Sequence, residues 1–152
     1  MKQATLLFLI KDNQILLAMK KRGFGEGRWN GVGGKPAKGE SITAAAIREC
    51  IEEIQVTPHH LKELATLNFS FPGAKKESNQ QVVVFICNAW EGKPVETEEM
   101  SPKWFKVNKI PYDKMWSDDK YWLPIVLEGK YVRADFHFDN NDNLRKHFVE
   151  II

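Results

Sequence analysis

Thiols and imidazoles are scarce in this chain of 152 residues, which has two cysteines and four histidines. Cys50 and Cys87 fit neither a zinc-binding nor a thioredoxin-type spacing. The expected state is a pair of free buried thiols in a protein of the reducing cytoplasm, with one disulfide as the alternative. An excess of one charge is lacking too. The 22 Lys and Arg face 20 Asp and Glu, a net charge of +2, so bulk electrostatics draws the chain neither to nucleic acid nor to a membrane surface. Any polyanion must be met locally, and no stable nucleic-acid complex is expected. Long apolar runs are missing as well. The first, Leu6 to Ile10, stops at Lys11 and Asp12, too soon for a signal-peptide core or a membrane span. There is no internal repeat, low-complexity tract or interdomain linker. These absences leave a single domain over residues 1–152, with a monomer as the default.

Several elements can be read from pattern. Ala4 to Ile10 and Gln14 to Lys21 flank the turn residues Asp12 and Asn13 and predict a hairpin. Residues 23 to 39 carry seven of the ten glycines and read as a loop without regular strand. A helix is predicted after Ser41 as N-cap, running to about Ile54. Strands are predicted over Leu64 to Phe71, Gln81 to Trp90, Lys103 to Val107, Tyr131 to Phe138 and Leu144 to Ile152. A second helix spans Asp118 to Leu127, with Pro124 expected to shorten or bend it. Strands outnumber helices without βαβ alternation, so the class is α+β, a mixed sheet flanked by helices.

On the first helix, Ile47, Cys50, Ile51 and Ile54 fall on one stripe expected to face the core. Glu49, Glu52 and Glu53 then fall on the opposite side. Three carboxylates at i, i+3 and i+4 repel one another, with only Arg48 nearby in sequence to compensate. A hard divalent cation would relieve this, since magnesium binds carboxylate oxygens while bridging phosphates.

Gly34, Glu40, Arg48, Glu49, Glu52 and Glu53 fit the spacing G-x5-E-x7-R-E-U-x-E-E-x-G-U, where U is a bulky aliphatic. Six such fixed positions would coincide by accident on the order of once in 10^5 chains of this size. The pattern resembles the Nudix box. Two positions depart from it: Cys50 stands at an aliphatic site, and Gln55 replaces the glycine that ends the helix in a left-handed conformation. Gln55 is expected to cost up to ~1 kcal/mol or to shift the helix end.

The resemblance implies the Nudix fold, a mixed β-sheet sandwiched between α-helices, and hydrolysis of a nucleoside diphosphate linked to another group. It implies Glu52, Glu53 and the Gly33 carbonyl as ligands of Mg2+, or of Mn2+ in its place. Glu49 would be a ligand or the base that orients the attacking water. Glu40 and Arg48 would hold the loop to the helix by an ion pair. The likeness extends to the MutT-type members of the family that act on oxidised purine nucleoside triphosphates. It is carried by residues 19 to 34, by Gly92 to Met100 ahead of Trp104 and Phe105, and by residues 115 to 122. By that likeness Asn30, Asp118 and Asp119 read the purine edge, and Phe24, Phe69 and Trp116 form the pocket walls. Thr5 and Lys20 lie at its strand side, and Glu99 assists at the metal centre. Taken alone, Asp118 and Asp119 read as acids favoured by a helix dipole. In a dry aromatic cavity they could not easily both ionise, and one would donate a hydrogen bond where the other accepts.

Two other functions fit the same box: cleavage of a nucleotide sugar, dinucleoside polyphosphate or RNA cap, and nucleotide binding without catalysis. Other features point less sharply. Gly23 to Gly27 lacks the third glycine of a dinucleotide loop and any Walker lysine. Lys20, Lys21 and Arg22 read equally as phosphate contacts or solvated surface. His59, His60, His137 and His147 have no spaced metal partners. Residues 72 to 79 form a polar loop that departs from the relatives and borders the nucleotide site, and Ala4 replaces an aromatic there.

Overall fold

A computed structural model describes residues 2–152. The chain runs β1 (Lys2–Lys11), β2 (Gln14–Lys20), β3 (Trp29–Asn30), α1 (Ile42–Ile54), β4 (Thr57–His59), β5 (Lys62–Ser70), β6 (Gln80–Cys87), β7 (Ala89–Glu91), β8 (Met100–Lys106), α2 (Asp119–Leu127), β9 (Val132–Phe138) and β10 (Leu144–Ile151). Asp12 and Asn13 both take positive φ, 52° and 60°. That is the turn a two-residue hairpin needs, and it sets Ile10 opposite Ile15. The eight-stranded sheet runs β10-β9-β5-β6-β1-β2-β3, with β8 also paired to β2. The β1–β6 and β5–β9 pairs are parallel and the remaining pairs antiparallel, so the sheet is mixed as expected.

Alternation along the central strands divides the core between two faces. Leu7, Leu9, Val83 and Phe85 meet Ala46, Cys50 and Ile54 of α1 on one side. Phe8, Val82, Val84, Ala134 and Phe136 meet Trp122, Leu123 and Val126 of α2 on the other. Trp122 is fully buried, its ring centroid 6.1 Å from that of Phe8. No helix among the described residues is long and apolar enough to cross a membrane. Both cysteines are free and buried, and burial pushes the Cys50 thiol up to about 12.

Several expectations need correction. The buried residues of α1 are Ala45, Ala46, Cys50, Glu53 and Ile54, while Ile47 is half-buried and Ile51 is 42% exposed. The helix is turned further than its aliphatic residues suggested, because it packs a carboxylate inward to the site. The stretch Gln81 to Trp90 is two strands, β6 in the main sheet and β7 paired with β4, since the chain leaves the sheet at Asn88. The glycine-rich loop holds a two-residue strand, and the 72–79 loop winds into a 3-10 turn over Gly73–Ser78. Pro124 neither shortens nor ends α2, which continues to Leu127. The end of α1 does not shift either: Gln55 itself adopts the left-handed conformation, φ 59° and ψ 36°, and its N–H caps Ile51.

Candidate active site

The site begins where α1 starts. The Ser41 hydroxyl accepts from the Ala44 N–H at 3.1 Å, capping the helix and fixing the glycine loop that precedes it. Arg48 then ties that loop to the helix. Its Nε and Nη2 reach the two oxygens of Glu40 at 2.8 and 3.0 Å, and Nη2 also donates to the Lys35 carbonyl at 3.0 Å. Glu40 closes the turn by accepting from the Ala37 N–H at 2.8 Å. The planar guanidinium thus fixes one carboxylate side-on and one carbonyl together, a fork geometry that lysine cannot reproduce. Its remaining nitrogen lies 2.7 Å from Glu49 and 3.2 Å from Glu52, which neutralises part of the acidic helix.

The glycines are packing requirements. A β-carbon on Gly33 would lie 1.9 Å from the Thr5 carbonyl oxygen. The buried Thr5 fastens the loop in return: its N–H donates to the Gly34 carbonyl at 2.8 Å, and its hydroxyl accepts from the Gly34 N–H at 3.1 Å. Beneath the loop, Glu53 is 7% exposed and accepts from the Gly33 N–H at 2.8 Å. Burial is the main reason its carboxyl is pushed up to about 7, and Glu49 and Glu99 push the same way against the Gly33 N–H and Lys20. Burial raises Glu49 as well. Glu99 is held below the usual range by Arg22 at 2.6 Å.

No three Asp, Glu, His or Cys side chains among the described residues converge in ready metal-binding geometry, and Arg48 and the Gly33 N–H engage several of the carboxylate oxygens. The donor chemistry nevertheless fits a hard divalent cation. A buried carboxylate whose charge is opposed by two neighbouring carboxylates is stabilised by added positive charge, and all the candidate donors are oxygens.

Beside this helix and loop lies a cavity of about 570 Å³. Thr5, Lys20, Phe24, Asn30, Phe69, Trp116, Asp118 and Asp119 all line it, as do Gly33 and Gly34. The glycine loop therefore borders both the acidic helix and the cavity. Phe24 stacks on Trp116 at 5.0 Å between centroids. Asp118 accepts from the Trp122 indole N–H at 2.8 Å through Oδ2, and it makes no side-chain bond to the start of α2. Helix capping therefore does not account for it. Asp118 Oδ1 and Asp119 Oδ2 are buried with no hydrogen-bond partner. Burial pushes both carboxyls up, and the charge of Asp118 pushes Asp119 further. With Asp118 ionised, its charge raises Asp119 beyond what burial alone does, so the pair holds one proton, favoured on Asp119.

The structure adds residues that sequence reasoning missed. The Arg28 guanidinium lies 4.1 Å from the Trp116 ring centroid, and Phe71 packs edge-on to Phe24 at 5.8 Å. Phe71 shares the strand alternation of Phe69, which was a signal available in the sequence. Arg28 had none. Lys35, Ser78 and Gln80 also reach the cavity. The basic run divides its work: Lys20 lines the cavity, while Lys21 pairs with Glu96 and Arg22 with Glu99.

Known proteins place this geometry. The chain is 40% identical over 149 residues to the oxidized purine nucleoside triphosphate hydrolase of Danio rerio, covering 98% of this chain and 94% of that one. It is 39% identical over 140 residues to the protein of the same name from Mus musculus, covering 92% and 88%. Its fold superposes on the crystal structure of the mutator MutT protein from Bacillus halodurans with a TM-score of 0.87 at 24% identity, over 99% and 98% of the two chains. Because residues 1–125 match the NUDIX domain model and these relatives run nearly end to end with the chain, the chain belongs to the Nudix family.

Proposed function

We propose that the chain hydrolyses oxidised purine nucleoside triphosphates, 8-oxo-dGTP and 2-hydroxy-dATP among them, to the monophosphate and pyrophosphate. Magnesium is the cofactor, with manganese able to replace it. The observation that carries this reading is the pair of unpartnered, buried carboxyl oxygens of Asp118 and Asp119 in an aromatic cavity. One protonated and one ionised carboxyl offer a donor beside an acceptor. That is the complement of a purine edge on which oxidation has rearranged an oxo group and a ring N–H. The names of the full-length relatives point the same way.

In this reading the base packs against the walls formed by Phe24, Phe69 and Trp116, where stacking contributes ~1 to 3 kcal/mol per base, and Asn30 helps read its edge. The triphosphate leads past Lys20 and the glycine loop to α1. Glu52, Glu53 and the Gly33 carbonyl hold the cation, with Glu99 assisting. Glu49 is either a further ligand or the group that takes the proton of the attacking water. Magnesium, when bound, neutralises phosphate oxygens so that water can approach phosphorus. Arg48 and Glu40 position the loop and touch no reacting atom. One chain supplies all these groups. The two free thiols support a cytoplasmic setting.

The test is pyrophosphate release from paired oxidised and normal purine triphosphates, with and without magnesium. Glu52→Gln should lower turnover on the order of 10^3-fold with the fold retained. Asp118→Asn should keep the hydrolytic chemistry and blunt the preference for the oxidised base. Faster cleavage of a nucleotide sugar, dinucleoside polyphosphate or capped RNA than of any oxidised purine triphosphate would overturn the substrate assignment.

A further inference from the structure

The two ends of the main sheet differ. At one end β8 (Met100–Lys106) pairs with β2 on one side, and Pro102 within it offers no N–H to another chain. At the other, β10 has eight residues, Leu144–Ile151, and no strand among the described residues pairs with its outer side. Its side chains split by parity. His147, Val149 and Ile151 lie opposite Phe136, Ala134 and Val132 on the face that α2 covers, where His147 stacks on Tyr121 at 4.1 Å. Lys146, Phe148 and Glu150 lie opposite His137, Asp135 and Arg133 on the other face, and Phe148 is 59% exposed.

Hydrogen-bond parity fixes how a second strand could join. The Ile152 N–H donates to the Tyr131 carbonyl at 2.9 Å. Even-numbered residues of β10 therefore turn their backbone groups toward β9, and the odd ones, from His147 to Ile151, turn theirs outward. Two copies joined antiparallel about a two-fold axis must pair odd with odd. Of the registers this allows, the one centred on Phe148 matches every pair on the open face. Phe148 meets its own copy in a non-hydrogen-bonded pair, where side chains approach most closely, and Lys146 faces Glu150 of the second copy on both sides of the axis. Moving the centre to His147 or Val149 sets Phe148 against a lysine or a glutamate. Edge charges of one sign would repel a second copy, whereas these are opposite and symmetrically placed about a bulky aromatic.

We infer that β10 is a self-complementary dimerisation edge, at which two copies of this chain join their sheets antiparallel about Phe148. Contact along five or so residues lies at the small end of specific interfaces, below roughly 1,200 Å² in total, so the dimer is a weak, reversible one. The site stays complete within each chain, and the proposal does not depend on the substrate assigned above.

Sedimentation velocity of the full chain, from about 1 to 200 μM, provides the test. The wild type should pass from monomer to dimer, and Phe148→Lys should remain a monomer with unchanged hydrolysis per chain. Lys146→Glu and Glu150→Lys should each weaken association about tenfold or more, and the two combined in one chain should restore it. Amide exchange at His147, Val149 and Ile151 should slow as concentration rises. A wild type that stays monomeric throughout, including one whose edge instead takes up an extended peptide, overturns the proposal. So does a dimer that survives Phe148→Lys, or a charge swap that fails to restore association.

Discussion

A β-carbon added at Gly34 would sit 2.4 Å from the carboxyl carbon of Glu49. The box glycine is therefore the space into which a site carboxylate fits. Gly34→Ala should fold, because Glu49 can swing away, at a cost of about 1 to 3 kcal/mol. Turnover should fall about 100-fold from the displaced carboxylate. Gly33→Ala differs, since its β-carbon meets the Thr5 backbone, which cannot swing, and this variant should lose soluble expression or melt far lower. Thermal melts and turnover measured on both variants check the pair; equal behaviour of the two would contradict it.

Magnesium should bind more tightly as pH rises from 6 to 8. Glu53 loses its proton at about 7 because burial opposes its charge, and the cation competes with that proton. Below this value each pH unit costs up to about tenfold in affinity. The rise in melting temperature on adding magnesium should grow over this range and should be much smaller and flat with pH in Glu53→Gln. A magnesium effect of equal size at pH 6 and 8 in the wild type would count against Glu53 as a ligand.

Asp119→Asn should gain stability relative to the wild type as pH rises above the ordinary aspartate value of 3.8. The folded state holds a proton on the Asp118 and Asp119 pair that the unfolded state releases near the ordinary aspartate value. A carboxyl raised on folding makes stability fall with rising pH, by up to ~1.4 kcal/mol per unit until the folded pair itself ionises. Asparagine keeps the donor and cannot ionise. Denaturant melts at pH 5, 6.5 and 8 give the answer, and parallel curves for the two proteins would rule out the shared proton.

Gln55→Gly should stabilise the fold by about 1 kcal/mol, seen as a rise of roughly 2 to 4 °C in melting temperature. Gln55 occupies the left-handed region at the end of α1 with φ 59°, where glycine meets no β-carbon penalty. Turnover should be unchanged, since the residue touches neither the cavity nor the carboxylates of α1. A lower melting temperature would show that the Gln55 side chain makes a compensating interaction.

Much of the architecture was legible along the chain because the signals are local. The turn at Asp12 and Asn13, the Ser41 cap and the alternation of β9 each act within a few residues. The box was legible too, since spacing along one helix and one loop fixes which groups can meet. The rotation of α1 was not. Periodicity offered Ile51 to the core, yet Glu53 went inward because the glycine loop supplied an N–H for its carboxylate, and that partner lies twenty residues away in sequence. Arg28 over Trp116 was hidden for the same reason.

By itself, then, the sequence determined the carboxylate set, the loop that must pass close to it and the α+β class, all consequences of short-range spacing. Tertiary structure alone decided which carboxyls lose water. Only the packing of Trp122 and the aromatic cavity walls around Asp118 and Asp119 removes solvent from two adjacent acids, and the energy of a charge depends on what surrounds it rather than on its neighbours in the chain.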